Sequence, residues 1–222
     1  MLTISNVMVY GWEAAIRGMR SPMNSWDRSD STFLPVKAPP AEYVPEIGEN
    51  DLDLMTKLAE GGSTHAKYRR MITVTLDIVA PLYWWKEFDT YKVGTVANSC
   101  STMHKVHAKE FNLDDFSHEH LISVGLSMLE RTIDSLNAYR DMFLEWDKQP
   151  KAIKAAFGHD KKNAWWQMIQ LLPTSYNQRR TILLNYEVLT AIYHDRRKHK
   201  LNEWHVVCDW IETLPHSEII TR

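Results

Sequence analysis

The stretch "MITVTLDIVA", residues 71–80, constrains the fold more than any other part of the chain. Ile72, Val74, Leu76, Ile78 and Ala80 alternate with Thr73, Thr75, Asp77 and Val79, the two-residue period of a strand that turns one face to a core. A sheet is required, and other elements must cover it. "LTISNVMVYG" (2–11) is rich in β-branched residues and reads as a first strand; "RRTILLNY" (179–186) reads as another. Helical stretches separate them: "WEAAIRGMRS" after Gly11, "DLDLMTKLAEGG" closed by Gly61-Gly62, and "LYWWKEFDTYKV", with Pro81 suited to its first turn. Leu121, Val124, Met128, Leu129, Ile133, Leu136, Tyr139 and Phe143 keep the spacing of a long amphipathic helix, for which Asp114, Asp115 and Ser117 offer caps. "AWWQMIQLLP" and two helices around "EVLTAIYHDRRK" and "LNEWHVVCDWIETLP" complete the chain. This irregular order predicts an α+β fold, expected as one domain over 1–222 with a Pro/Ser-rich loop or flap at 21–50.

With 222 residues, 44% of them hydrophobic, the chain can bury a sizeable core. A formal net charge of −2 gives no basic footprint, so no duplex nucleic acid is expected as a partner. Cys100 and Cys208 offer neither metal spacing nor a disulfide framework, and a reduced, cytoplasmic setting is expected. The first twenty residues resemble neither a signal peptide nor a membrane span. Nine Trp and nine Tyr suit a large core, a stacking pocket or an oligomer interface.

Several clusters invite chemistry. "HKVHAKE" spaces His104, His107 and Glu110 as a helix face would, and His118 and His120 follow, but no cysteine pair or His-Glu-x-x-His pattern supports zinc; solvated polar side chains are the simpler reading, and no metal is expected. "HDRRKHK" (194–200) is a basic cluster that could take phosphate or sit at a helix C-terminus. Cys100 would be a nucleophile only with a base beside it, and His104 is near in sequence alone. No glycine-rich loop of dinucleotide or P-loop type is present. "TYKVGTVANSCSTM" (90–103) collects small polar side chains, one lysine and a cysteine, as a ligand-holding loop or a surface connection would.

Three separated stretches together resemble the flavin-dependent thymidylate synthases. That family carries Arg-His-Arg-x-x-Ser-x-Asn-Glu-x-Ser-x-Arg-Tyr shortly after a strand ending in Ala-Pro; here "VTLDIVAPLYWWKEFD" runs into "TYKVGTVANSCSTM" at the same distance. "AIRGMRS" is similar to its Ala-x-Arg-x-x-Arg segment, and "LMTKLAEGGSTHAKYRRM" places His65 where the family has a flavin-proximal histidine. "LLPTSYNQRRTILLNYEVLTAIYHDRRKHKLNEW" is similar to the closing pattern, with Arg179, Asn185 and Arg196 in the family's positions and Asn202 for its glutamine. The resemblance implies a central, mostly antiparallel sheet flanked by helices and a homotetramer with sites at subunit contacts. It implies FAD near His65, Thr90, Tyr91, Lys92 and Asn185. A nucleotide substrate would lie near Thr95, Asn98, Cys100, Thr102, Arg179, Glu187 and Arg196.

The departures from the family pattern are chemical. Thr90-Tyr91-Lys92 stand for Arg-His-Arg, so one charge is kept and the planar, two-pronged donors are lost. Asn98 and Cys100 replace a glutamate and a serine, and Thr102 and Met103 replace arginine and tyrosine. Glu187 stands where the family uses an arginine on the substrate phosphate, which reverses the charge there. The expectation is the family's fold with a rebuilt pocket for a flavin or nucleotide-type ligand and weakened binding of deoxyuridine monophosphate (dUMP). If active, the chain would be a flavin-dependent methyltransferase or oxidoreductase acting on a pyrimidine nucleotide. The competing expectation is a non-catalytic homo-oligomeric binding or interaction protein on the same scaffold, with Trp84, Trp85, Trp165, Trp166 and Trp204 at interfaces.

Overall fold

A computed structural model of the chain describes residues 2–33 and 45–222; the middle of the expected 21–50 loop, 34–44, lies outside them. In chain order the elements are β1 (Thr3–Tyr10), α1 (Trp12–Arg20), α2 (Glu49–Glu60), β2 (Thr73–Pro81), α3 (Leu82–Phe88), β3 (Val96–Ser99), α4 (Thr102–Lys105), α5 (Ser123–Leu144), α6 (Lys151–Ala156), α7 (Lys161–Leu171), β4 (Asn177–Asn185), α8 (Tyr186–Arg196), α9 (Asn202–Glu212) and α10 (Glu218–Thr221). Among the described residues one antiparallel sheet forms, in the order β1-β2-β4-β3, and the α+β architecture is as expected.

The alternating stretch is β2, and Ile72, Val74, Leu76, Ile78 and Ala80 are all buried. Its other face is polar but not open. Asp77 is also buried, accepting from Asn6 Nδ2 at 2.8 Å and from the Thr181 hydroxyl at 2.5 Å. Pro81 is the last residue of the strand and does not open the helix, and α3 ends at Phe88, short of the expected Val93. The chain turns there: the Tyr91 N–H bonds back to the Phe88 carbonyl at 3.0 Å. The 90–103 segment, expected as a ligand-holding loop or a surface connection, contains β3 and the start of α4. All four β3 side chains are exposed, so the strand has no apolar face that sequence periodicity could reveal.

The chain divides into two compact units. The larger is Ile4–Ile78, Phe88–Asn98 and Thr181–Arg222. Within it α1 buries Trp12, Ala15, Ile16 and Met19, and α9 buries Trp204, Val207, Cys208 and Ile211, each an i, i+3, i+4, i+7 face. The Trp12 ring meets Tyr186 and His216 edge-on at 5.4 and 5.3 Å. Polar residues order the loop after α1. Fully buried Asp51 accepts from Arg20 Nε at 2.6 Å, from the Ser29 and Ser31 hydroxyls at 2.7 Å each, and from the Asp30 and Ser31 N–H groups at 3.1 Å each. Burial alone would raise the Asp51 pKa; the Ser31 and Ser29 hydroxyls and Arg20 outweigh it and hold the carboxyl below its ordinary value.

The smaller unit is Met1–Thr3, Val79–Glu87 and Ser99–Arg180. Val106, Phe111, Phe116, Leu129, Ile133, Leu136 and Met168 form its core, around the packing of α5 on α7. Asn137 clamps the Phe111 backbone, accepting from its N–H and donating to its carbonyl at 2.8 Å each. The expected caps of α5 do not cap it. Ile122 holds the N-cap position, while Asp115 and Asn112 close a short turn over Leu113–Asp115. Leu121, Val124 and Met128, expected in the core, are exposed. Trp84 and Trp85 are buried here, as Trp204 is in the larger unit, so none of the three is a surface anchor; Trp166 is exposed.

Candidate functional site

In the larger unit the turn after α3 lies against the start of α8. Gly94 has φ +81°, a conformation that side chains rarely adopt, and an added Cβ would come within 3.1 Å of both Asn185 Nδ2 and Val188 Cγ2. Asn185 caps α8, accepting from the Val188 N–H at 3.0 Å. The next residue, Thr95, lines a small pocket of about 180 Å3 with Phe88, Asp89, Tyr91, Lys92 and Ala97. Its hydroxyl oxygen is buried and without a hydrogen-bond partner. Here the residues that resemble a ligand-holding loop present one cation, Lys92, and one unsatisfied hydroxyl.

Tyr91 and Arg196, expected to serve different ligands, are brought together. Arg196 Nε donates to the Tyr91 oxygen at 2.9 Å, and the Tyr91 hydroxyl donates to Asp195 at 3.2 Å. The guanidinium lies over the Trp204 ring at 4.9 Å and the Tyr91 ring at 5.5 Å. Burial raises the Tyr91 pKa despite the opposing pull of Arg196, so the phenol stays neutral and fixes the arginine fork. Elsewhere in the basic stretch Arg197 pairs with Asp209 and, at 3.2 Å, with Glu212.

The charge reversal at Glu187 is met by a residue that the sequence did not single out. Arg69, in a short turn over Lys67–Arg70, is buried, and its Nη1 lies 3.8 Å from Glu187 Oε2. Glu187 is therefore not an uncompensated carboxylate. The pair is stretched, however: Arg69 Nε and Nη2 and Glu187 Oε2 are all buried without hydrogen bonds. Such a pair offers donors and an acceptor side by side. Neighbouring Tyr68 donates to the Met55 carbonyl at 2.8 Å, and burial pushes its phenol up to about 12.

His65 lies in the same unit, on a cleft of about 650 Å3 between α1 and α2. Arg28, Lys57 and Lys67 bring cations to its lining, and Met19, Met23, Leu54 and Met71 supply apolar surface. Arg20 also borders it, but Asp51 occupies that guanidinium. Lys57 pairs with Asp53 at 2.6 Å. The cleft's size and mixed lining suit a small organic anion.

The remaining expected site residues behave differently. Asn98 is exposed on β3. In the smaller unit the Cys100 N–H bonds to the Arg179 carbonyl at 3.0 Å, and Gln178 Nε2 donates to the Cys100 carbonyl at 2.7 Å, so these contacts use Cys100 as edge backbone. Thr102 opens α4, where the Ser101 hydroxyl caps the His104 N–H at 3.1 Å. Among the described residues no three His, Cys, Asp or Glu side chains converge as metal ligands would. No helix of the described residues is long and apolar enough to cross a membrane.

No protein-family model matches the chain, and no curated protein matches it. Solved structures do. A flavin-dependent thymidylate synthase, ThyX, from Helicobacter pylori, complexed with FAD and dUMP, aligns with a TM-score of 0.62 over 97% of this chain and 98% of its own, at 15% identity. A second structure of ThyX from the same organism, with FAD and dUMP, gives 0.61 over 97% and 95%, at 14% identity. The chain has the fold of a flavin-dependent thymidylate synthase. At that identity the likeness is one of fold, and it spans nearly the whole of both chains. The thymidylate synthase fold thus accommodates a loop at 90–95 that differs from the family signature at most of its charged positions.

Proposed function

We propose that the chain binds a flavin, with or without a second nucleotide-type ligand, in a rebuilt pocket of the larger unit. The observation that carries this reading is the buried, unsatisfied Thr95 hydroxyl in the small pocket beside Lys92, in a fold whose solved examples hold FAD and dUMP. Buried donors and acceptors without partners cost about 1–3 kcal/mol each, and a polar ligand that meets them recovers that loss.

The residues present fit an anionic cofactor with a planar body. Lys92 would meet phosphate as a point charge, Thr95 would donate one hydroxyl, and Asn185, fixed as the α8 cap, would present its Nδ2 beside Gly94. Arg28 and Lys67 would supply charge along the larger cleft, which His65 also lines. A bound flavin would supply hydride transfer, and the protein's part would be to position and polarise. Two of the three signature charges at 90–92 are absent, so the reading is one of binding and does not extend to thymidylate synthesis. The homotetramer that the resemblance implies, and the cytoplasmic setting expected from the cysteines, belong to the same proposal.

The test is spectroscopic. The purified protein, incubated with excess FAD and passed through gel filtration, should elute with a flavin absorption band, and Lys92→Ala and Thr95→Val should each lower the flavin retained. A colourless native protein after that treatment would refute flavin binding.

A further inference from the structure

Aliphatic side chains line the 650 Å3 cleft between α1 and α2: Met19 of α1, Leu54 and Leu58 of α2, and Met23 and Met71 from the turns beside them. Met23 is 82% exposed and Met71 43%, so much of this thioether surface lies open. Gly18 makes room for it, since an added Cβ there would come within 3.1 Å of Met71 Sδ. Aromatic surface is scarce. Tyr68 is 2% exposed with its hydroxyl on the Met55 carbonyl, and the other ring in the lining is the His65 imidazole, packed against Gly61.

The charges in the lining do not cancel. Arg20 is held by Asp51 and Lys57 by Asp53, whereas Arg28 and Lys67, both exposed, have no carboxylate partner among the described residues. The stretch that carries Met23 and Arg28 is fixed before any ligand arrives. Trp26 Nε1 donates to the Arg17 carbonyl at 3.2 Å, the Arg28 N–H bonds to the Ser25 carbonyl at 3.1 Å, and Asp51 anchors the Ser29 and Ser31 hydroxyls just beyond. A wall ordered in this way loses little conformational freedom on binding.

From this lining we propose that the cleft binds an aliphatic carboxylate, its alkyl chain along the methionine and leucine side chains and its head group on Arg28 and Lys67. Unbranched thioether side chains adapt to a flexible chain, which needs no ring face to stack on. The planar fork of Arg28 matches a carboxylate with two parallel hydrogen bonds, and Lys67 adds a point charge. A cavity of this size, apolar with a few placed polar groups, is typical of small-molecule sites. It shares no lining residue with the pocket of Lys92 and Thr95, and binding here needs no flavin, so the proposal stands whether or not the chain takes one.

Equilibrium dialysis of the full chain, without flavin, tests it with hexanoate, octanoate and decanoate, and with decanol as the uncharged counterpart. Decanoate should bind, and affinity should rise about fourfold for each methylene added along the series. Decanol should bind roughly tenfold more weakly than decanoate. The double variant Arg28→Gln/Lys67→Gln, changed on exposed side chains, should weaken decanoate binding by roughly tenfold or more, while Lys162→Gln in the smaller unit leaves it unchanged. No retention of decanoate by the native protein would overturn the proposal. So would an affinity independent of chain length, decanol binding as tightly as decanoate, binding that survives the double variant, or an equal loss in Lys162→Gln.

Discussion

Two carboxylates, buried Asp51 and half-buried Glu187, show how single residues set local stability. Asp51 receives five hydrogen bonds, and Asp51→Asn would leave Arg20 buried without its counter-charge, at a cost of about 3–5 kcal/mol. Because the folded state holds the Asp51 pKa below 3.8, its contribution is fully present above that value and is lost as pH falls through the lower, folded one. Urea unfolding of the native protein should therefore lose stability more steeply than Asp51→Asn on acidification below about pH 4; parallel curves would remove Asp51 from the account. Glu187 and Arg69 are coupled across 3.8 Å. A cycle of Arg69→Met, Glu187→Gln and the double variant should give an interaction of about 0.5–3 kcal/mol, and strict additivity would mean that the charges do not sense each other. The order Tyr91, Lys92, Thr95, Asn185, Glu187 and Arg196 was legible in the sequence because the resemblance rests on order and spacing. Arg69 was not: it sits beside Arg70 in the same short turn, and only the tertiary structure buries one and exposes the other.

At the scale of elements, legibility followed burial asymmetry. The apolar side chains of β2 that face the core recur at alternate positions, so its period is written in apolar residues, and Leu76→Ala should cost about 2–5 kcal/mol in urea unfolding because a packed core closes poorly around the gap. A near-neutral effect would contradict the core position of that side chain. β3 shows the converse, since a four-residue strand exposed at every position has no pattern to read, and its register comes instead from pairing with β4. The α5 stripe was legible only in part. Leu129, Ile133 and Leu136 are its buried face, whereas Leu121, Val124 and Met128 are exposed despite keeping apolar spacing. Periodicity records which residues are apolar; it does not record what covers them.

For the whole molecule, that uncovered apolar surface leads to a prediction about assembly. Ile122 is 75% exposed, Val124 66% and Met128 65%, at the start of the longest helix among the described residues. Apolar side chains grouped in this way favour association, since each CH2 group removed from water contributes about 0.8 kcal/mol. A second copy of the chain is the partner that the thymidylate synthase resemblance implies. Light scattering at micromolar concentration should then report a mass above that of the 25.9 kDa chain. The paired substitution Ile122→Glu and Met128→Glu should move that mass toward the monomer, because association would have to desolvate two carboxylates, while the unfolding midpoint changes little, both side chains being exposed already. A monomeric native protein would separate this chain from an assembly with shared sites, and an oligomer untouched by the two glutamates would place its interface on another face.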